Sequence, residues 1–322
     1  MKKYDLIIIG GGPSGINCGI EASKKGVDYM ILEKGVLVNS LFNFPSNMQF
    51  FSTSVNLEIG EIPFISHTDK PTRKEALEYY RRLYDYYNLN VSFRTKVVQL
   101  KKGNNEFIVQ TNNGDLRSKN VVCATGFYDS PNYLHVPGEN LPKVKHYYDE
   151  AHHYIGQNIV VVGGANSACD VALETWQKGA NVTMVIRKPE LYEKVKYWIL
   201  PNIQNRIKEG SIKAFFNSTI TEIKEEEVLV KTPDGETRIP NDYVLAMTGY
   251  SPDYKLLEKF GITIQNDNHR TPKFDKDSLQ SEVEGLYLMG TVLGGLHTSK
   301  YFIENTREQA VQIIDHIIKV KK

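Results

Sequence analysis

The sequence has 322 residues, of which 41% are hydrophobic and 24% charged, and its formal net charge is +1. This length suggests two domains, and the apolar content is sufficient for hydrophobic cores. A charge so close to zero gives no basis for a nucleic-acid or membrane-surface partner, because such proteins usually carry a large basic excess.

The N-terminal residues predict a strand, a helix and a second strand in succession. Residues 4–9 (YDLIII) form a continuous apolar run that three glycines end, which is typical of a buried parallel strand. Helical spacing follows over residues 16–25, and a second apolar run covers residues 28–33. Together these segments predict a β-α-β unit of about 30 residues.

The middle of the chain repeats this β-α-β pattern. Before the repeat, residues 70–87 predict a helix, residues 91–111 alternate as strands do, and a further strand ends at Thr125-Gly126. The repeat has four parts: a strand at residues 158–162, a turn at Gly163-Gly164, a helix at residues 167–178 and a strand at residues 181–186. Two copies of this unit in one chain predict two nucleotide-binding domains.

The last third of the chain predicts two more strands and a long helix. A strand at residues 243–246 is followed by Met247-Thr248-Gly249, an ending similar to Thr125-Gly126. A strand at residues 285–289 leads into a glycine-rich loop, and helical spacing covers residues 299–320. No low-complexity segment or long linker separates these elements.

The first glycine loop has the spacing of a dinucleotide-binding fingerprint. Residues 10–15 (GGGPSG) satisfy G-x-G-x-x-G between a strand and a helix. In this motif Gly10 allows the tight turn, Gly12 lets the backbone approach a pyrophosphate, and Gly15 lets the helix pack closely on the strand. Glu33, at the end of the second strand, is positioned to accept hydrogen bonds from ribose hydroxyls.

The second glycine loop is a variant of the same fingerprint. Residues 163–168 (GGANSA) match G-x-G-x-x-A, except that Ala165 replaces the middle glycine. We expect the extra methyl group to shift the phosphates outward or to tilt the loop. Asn166 and Ser167 are residue types that can cap the following helix.

A pair of cations replaces the acid that would end the second strand of this repeat. Arg187-Lys188 stands where an acid would otherwise bind a ribose hydroxyl. A guanidinium group can bind a phosphate through two hydrogen bonds, and lysine adds a point charge. The pair therefore predicts a 2′-phosphate, and with it NADPH instead of NADH.

These motifs predict an α/β protein of two Rossmann-like, three-layer ββα dinucleotide-binding domains. The expected FAD domain comprises residues 1–128 and 247–322. The expected NADPH domain, residues 129–246, is inserted between its two parts.

The three cysteines are isolated from one another in the sequence: Cys18, Cys123 and Cys169. No C-x-x-C motif or zinc-ligand spacing is present, so we expect neither a local dithiol nor a metal. Few, unpaired cysteines are typical of a reducing compartment. No run of residues approaches the roughly 20 apolar residues of a membrane span. We therefore expect a soluble cytoplasmic protein.

Taken together, these motifs make the chain resemble the thioredoxin-reductase-like flavoproteins over essentially its whole length. Within that group it is most similar to the bacillithiol-disulfide reductases. The further strings that carry this similarity lie at residues 39–40, 49–52, 57–60, 79–81, 137–144, 146–147, 198–201 and 302–305.

This resemblance implies bound FAD, NADPH as reductant, and a homodimer or homotetramer. It implies that Asn39, Ser40 and Gln49 lie at the flavin and that the Val97 backbone meets the adenine. The expected cofactor contacts are Gly10, Gly12, Pro13, Ser14, Gly15, Glu33, Lys34, Asn39, Ser40, Gln49, Val97, Thr125, Gly126, Gly290 and Thr291 for FAD, and Gly164, Asn166, Ser167, Ala168, Arg187 and Lys188 for NADPH. Gly249 is a further expected cofactor contact.

The chain departs from its relatives at the redox cysteine. Thioredoxin reductases carry C-x-x-C before the second glycine strand, where this chain has residues 146–149 (HYYD). In the bacillithiol-type relatives the proposed cysteine sits in the first glycine loop, at the position of Ser14, whose hydroxyl cannot exchange with a disulfide. Cys18, one helical turn later, and His146 are the remaining candidates for a catalytic residue.

Several functions are compatible with this pattern. The first is an NADPH-dependent reductase of a low-molecular-weight disulfide, and the second is a reductase of ferredoxin, flavodoxin or quinone, which needs no cysteine. A flavin-containing monooxygenase is a third, but only His146 fits its signature. A redox-sensing protein that binds nucleotides without turnover is a fourth.

Overall fold

The computed structural model describes residues 1–321 and divides them into two compact units. Unit 1 comprises residues 1–43, residues 47–130 and the described residues from 250 onward, and unit 2 comprises residues 44–46 and 131–249. The predicted domain limits therefore lie within three residues of the limits of the units. The short segment 44–46, which belongs to unit 2, has no counterpart in the predicted division.

In unit 1, nine strands and α-helices precede the insertion and three follow it. Its elements are β1 (Lys3–Ile9), α1 (Pro13–Lys24), β2 (Tyr29–Leu32), α2 (Asn39–Phe42), α3 (Arg73–Tyr86), β3 (Val91–Ser92), β4 (Val97–Lys102), β5 (Phe107–Thr111), β6 (Gly114–Cys123), α6 (Tyr254–Lys259), β15 (Leu286–Leu288) and α7 (Ile303–Lys321).

Unit 2 contains eight strands and two α-helices. They are β7 (Val144–Lys145), β8 (Asn158–Val162), α4 (Asn166–Gln177), β9 (Asn181–Val185), α5 (Leu200–Lys208), β10 (Lys213–Phe215), β11 (Thr219–Ile223), β12 (Glu227–Thr232), β13 (Gly235–Pro240) and β14 (Tyr243–Ala246), with β7 and β10 as short edge strands.

The sheet of unit 1 is built around β1. Its strand order is β3-β2-β1-β6-β5-β4, and β15 pairs with the end of β6. β1 is parallel to both of its neighbours, and Leu6, Ile7 and Ile8 are completely buried. A central strand with both faces covered requires apolar residues without alternation, which explains the run at residues 4–9. α1 packs against α7 in the same unit.

Unit 2 has the three layers that the sequence predicts. The parallel sheet β10-β9-β8-β14-β7 lies between α4 and the antiparallel sheet β11-β12-β13. The side chains of β8 alternate between the two faces: Ile159 and Val161 pack with α4, and Val160 and Val162 pack with the antiparallel sheet. The α/β fold class is confirmed.

Two helices begin later than their periodicity suggests, and local hydrogen bonds explain both differences. α3 begins at Arg73 because Thr72 and Glu75 form a capping box, in which the Thr72 N–H donates to Glu75 Oε2 over 2.7 Å. α7 begins at Ile303 because the Asn305 side chain holds the preceding turn, accepting from the Phe302 N–H and donating to the Lys300 carbonyl.

No helix among residues 1–321 combines the length and the apolar character that crossing a bilayer requires.

Candidate dinucleotide sites

The first glycine loop brings the start of α1 directly against the ends of the central strands. A Cβ atom on Gly10, whose φ is +108°, would lie 2.5 Å from the Ala124 carbonyl oxygen. A Cβ atom on Gly15 would lie 1.9 Å from the Gly10 carbonyl oxygen. Only glycine fits either position, because any side chain would force the helix away from the sheet.

Gly12 differs from these two glycines because neither packing nor strain demands it. Its backbone is extended, with φ at −75°, and a Cβ atom there would meet nothing within 4 Å. Among residues 1–321 no side chain caps α1, and Pro13 at its start has no N–H to satisfy. The start of α1 is therefore uncapped and the space beside Gly12 is open, which is the arrangement that a pyrophosphate requires.

Glu33 has a structural role in this loop that the sequence does not reveal. Its buried carboxylate accepts hydrogen bonds from the N–H groups of Gly11 and Gly35, both over 2.7 Å. Burial raises the pKa of this carboxyl, and the two N–H donors oppose that rise. A carboxylate has about four lone-pair positions, so acceptor capacity remains for a ribose hydroxyl.

Four of the expected FAD contacts lie together around the start of α1. A Cβ atom on Gly290 would lie 2.5 Å from Ser14 Oγ, and one on Gly126 would lie 3.5 Å from Thr291 Oγ1. The Gly290 N–H donates to Gln309 Oε1 on α7 over 2.9 Å. Gln309 was not among the predicted site residues; the signal was a glutamine on the buried face of α7, where Thr306 is the other buried polar residue.

The remaining FAD candidates lie in unit 1, and two of them, Asn39 and Gln49, bind backbone groups through their side chains. Lys34 forms an ion pair with Asp129 over 2.9 Å. Asn39 Oδ1 accepts from the Val36 N–H over 3.3 Å, and the Gln49 side chain donates to the Lys70 carbonyl over 3.1 Å. Three others complete the set: Ser40 is half-buried in α2, Val97 is buried at the start of β4, and Thr125 lies 3.6 Å from the Cys123 sulfur.

The second glycine loop reproduces the first in unit 2. Gly163, with φ at +132°, would place a Cβ atom 2.6 Å from the Met247 carbonyl oxygen, as Gly10 would against Ala124. Gly164 lies against Ile186, where a Cβ atom would approach to 2.9 Å. Ala165 is extended, with φ at −106° and ψ at −171°, so its methyl group causes no backbone strain.

The expectation that Asn166 and Ser167 cap α4 is wrong. The N-cap residue is Ala165, which has no capping group, and no side chain in the described chain caps this helix. Asn166 is already helical and uses its Oδ1 atom to accept from the Lys196 N–H over 2.8 Å. Ser167 is exposed, and Ala168 is buried where the loop packs on the strand.

The two cations expected at the 2′-phosphate lie exposed at the end of β9. Within residues 1–321 neither Arg187 nor Lys188 forms an ion pair with a carboxylate, so both charges are available to an anion. Gly249, with φ at +83°, accepts a hydrogen bond from the Asn132 N–H within the same unit.

All three cysteines are free and completely buried. Burial raises the pKa of the Cys18 thiol, and it raises that of Cys123 to about 11 and that of Cys169 to about 12. A thiol exchanges with a disulfide only as the accessible thiolate. The structure therefore contradicts a catalytic role for Cys18. This residue belongs to α1, and its side chain is buried in the core.

His146 is surrounded by packing interactions in unit 2. Its Nε2 atom lies 3.6 Å from Glu139 Oε1, and its ring meets that of Tyr133 edge to face. Burial lowers the pKa of His146, although Glu139 opposes this change. Glu139 also accepts from the His135 N–H over 2.7 Å. This arrangement is that of a histidine that stabilises a loop.

A family model described as pyridine nucleotide-disulphide oxidoreductase matches residues 7–290. The chain belongs to this family. Bacilliredoxin reductase Bdr of Bacillus subtilis is 40% identical over 99% of both chains. The structure of bacillithiol disulfide reductase Bdr from Staphylococcus aureus matches with a TM-score of 0.97, 39% identity and complete coverage of both chains.

A flavin monooxygenase from Stenotrophomonas maltophilia also covers both chains, with a TM-score of 0.81, but at 20% identity it shares the fold alone. As a member of the pyridine nucleotide-disulphide oxidoreductase family, the protein is a flavoprotein oxidoreductase with FAD and NADPH as cofactors. The two uncapped helix starts fit their pyrophosphates. Among residues 1–321 no three His, Cys, Asp or Glu side chains are grouped to hold a metal ion.

The burial of the thiols predicts that the native protein resists alkylation. At pH 8 with excess iodoacetamide, Cys18, Cys123 and Cys169 should remain unmodified in the FAD-bound protein, because none offers a thiolate to solvent. Mass spectrometry after denaturation in the same reagent should find all three modified. Fast native labelling of Cys18 would contradict its assignment to the core.

The exposed cations predict a selective loss of NADPH binding. In the double variant R187A/K188A we expect the KM for NADPH in anaerobic flavin reduction to rise about 10- to 100-fold, because charge-assisted hydrogen bonds to a phosphate are removed. The KM for NADH should change less than twofold. The variant K208A/K213A removes two exposed cations of the same unit and serves as the control; an equal rise there would show a non-specific charge effect.

Proposed function

We propose that this protein transfers a hydride from NADPH to FAD and reduces a low-molecular-weight disulfide with the two electrons. The observation that supports this function is the similarity to the Bdr proteins over the whole chain, one of which is described as a bacillithiol disulfide reductase. The reaction consumes NADPH, one proton and the disulfide, and it produces NADP⁺ and two thiols. The proposed location is the cytoplasm, where such thiols are kept reduced.

We assign FAD to unit 1 and NADPH to unit 2. In unit 1 the open space at Gly12, the uncapped start of α1 and the neighbouring Gly290-Thr291 turn support the assignment. In unit 2 the exposed Arg187-Lys188 pair supports NADPH, since Glu33 at the equivalent place in unit 1 would repel a 2′-phosphate. We further propose a homodimer or homotetramer without a nucleic-acid or membrane partner.

The disulfide is reduced in this proposal without a thiol of the enzyme. Ser14 occupies the position of the cysteine of the relatives, and all three cysteines of this chain are inaccessible. The reduced flavin must then pass both electrons directly to the bound disulfide, with protons from solvent or from a residue of the site. Cofactors can supply such chemistry when the protein fixes distance and orientation.

The burial of all three cysteines also favours a second candidate, a reductase of a small redox carrier such as ferredoxin, flavodoxin or quinone. These acceptors take electrons from a reduced flavin without covalent exchange. A flavoprotein without an accessible thiol suits them at least as well as it suits a disulfide.

One experiment separates the two candidates. The FAD-bound protein is reduced anaerobically with one equivalent of NADPH and then mixed in a stopped-flow instrument with bacillithiol disulfide, ferredoxin, flavodoxin or a quinone. We expect the disulfide to reoxidise the flavin fastest and to yield two thiols per flavin. The buried variant Cys18→Ala should do so at an unchanged rate.

Reoxidation by a carrier or quinone alone would replace the disulfide reductase by the second candidate. A flavin that NADPH does not reduce would contradict both functions and would favour a nucleotide-binding protein without turnover.

A further inference from the structure

The loop that follows β9 folds back onto the second glycine loop within unit 2. The Tyr192 N–H donates to the Gly164 carbonyl over 2.8 Å. Leu191 is buried, and its Cδ2 atom lies 3.7 Å from the position of a Cβ atom on Gly164. The loop comprises residues 191–198. The Tyr192 backbone and the Leu191 side chain thus fix its first part beside the start of α4.

Side chains of α4 hold the second part of the loop. Asn166 Oδ1 accepts from the Lys196 N–H over 2.8 Å, and Asp170 Oδ2 binds Lys196 Nζ over 2.7 Å. Asn166 and Asp170 are four residues apart and so lie on one face of the helix. The Lys196 side chain is only 16% exposed, which limits screening of its ion pair by solvent.

This arrangement explains why α4 begins without a capping side chain. The amide of Asn166 is used on the loop and not on the helix terminus, and Ala165 at the N-cap has no polar group. The first-turn N–H groups therefore remain available, and residues 191–198 stand beside them. An uncapped helix start bordered by a fixed loop is a site with a defined side wall.

We propose that Asn166, Asp170 and Lys196 are positioning residues that hold residues 191–198 as a wall of the NADPH site. This inference rests on the proposed assignment of NADPH to unit 2. It adds that NADPH affinity depends on Asp170, a residue that carries the same sign of charge as the nucleotide and that acts through the loop.

The variant Asp170→Asn distinguishes this role from simple electrostatics. Removing a negative charge near a phosphate site would by itself tighten the binding of the anion NADP⁺. If Asp170 holds the loop, its loss instead weakens binding, and we expect the Kd of NADP⁺ for the FAD-bound protein to rise roughly three- to fivefold in calorimetric titrations. The KM for NADPH should rise equally, while flavin reduction at saturating NADPH stays unchanged.

A second measurement follows the loop without nucleotide. Trypsin cleaves after lysine, and Lys194 and Lys196 lie in the loop. We expect cleavage after Lys194, identified by mass spectrometry, to be faster in Asp170→Asn and in Lys196→Met than in the wild type. Cleavage after Lys196 is compared only between Asp170→Asn and the wild type, because Lys196→Met removes that site. The control Asp234→Asn makes the same change of net charge in the exposed β12–β13 turn and should alter neither the Kd nor the cleavage rate.

An Asp170→Asn protein that binds NADP⁺ as tightly as the wild type or more tightly, with unchanged cleavage, would overturn the inference and leave the proposed function intact. A wild-type protein that does not bind NADP⁺ would instead contradict the proposed function.

Discussion

The structure depends on how closely a helix can begin against the carboxyl ends of parallel strands. In unit 1 Gly10 lies directly against the Ala124 carbonyl, and Gly15 lies directly against the Gly10 carbonyl. This contact leaves no room for a side chain, and it sets the start of α1 beside the strands. The open space at Gly12 follows from it, because the loop turns outward between the two tight contacts.

Unit 2 brings its helix start equally close to the strand ends, but with different residues. Gly163 meets the Met247 carbonyl as Gly10 meets Ala124, while Ala165 and Ala168 replace the second and third glycines. The charges after the second strand of each unit are opposite: Glu33 in one and Arg187-Lys188 in the other. This difference in charge is the basis of the proposed assignment of FAD to unit 1 and of NADPH, with its 2′-phosphate, to unit 2.

Much of this architecture could be predicted because its determinants are local in sequence. Continuous apolar runs mark the buried parallel strands, and β8 has the predicted limits, residues 158–162. The roles of polar side chains could not be predicted in the same way. Glu33 binds two backbone N–H groups of its own unit, Asn166 binds a loop 30 residues further on, and Gln309 reaches Gly290 from α7. Residue type permits each of these contacts, but only the tertiary fold selects among them.

The accessibility of the thiols is likewise a property of packing. Cys18 has the spacing of a thiol near a positive helix end, yet the same helix turns it into the core. The first glycine loop carries a serine, Ser14, and all three thiols of the chain are buried. In the proposed function the reduced flavin therefore passes the electrons directly to the acceptor.

The assignment of FAD to unit 1 depends most on the open space beside Gly12, where we propose that the FAD pyrophosphate binds. The variant Gly12→Val tests this directly, since its extended backbone and open surroundings accept a valine, whereas a bound phosphate would collide with it. FAD content is measured from the absorption spectrum of the purified protein, with circular dichroism and the melting temperature of the FAD-free form as controls for folding. The account predicts a yellow wild type and a folded variant with at least tenfold less FAD. A colourless wild type that stays so when offered FAD, or a variant with full FAD content, would contradict it.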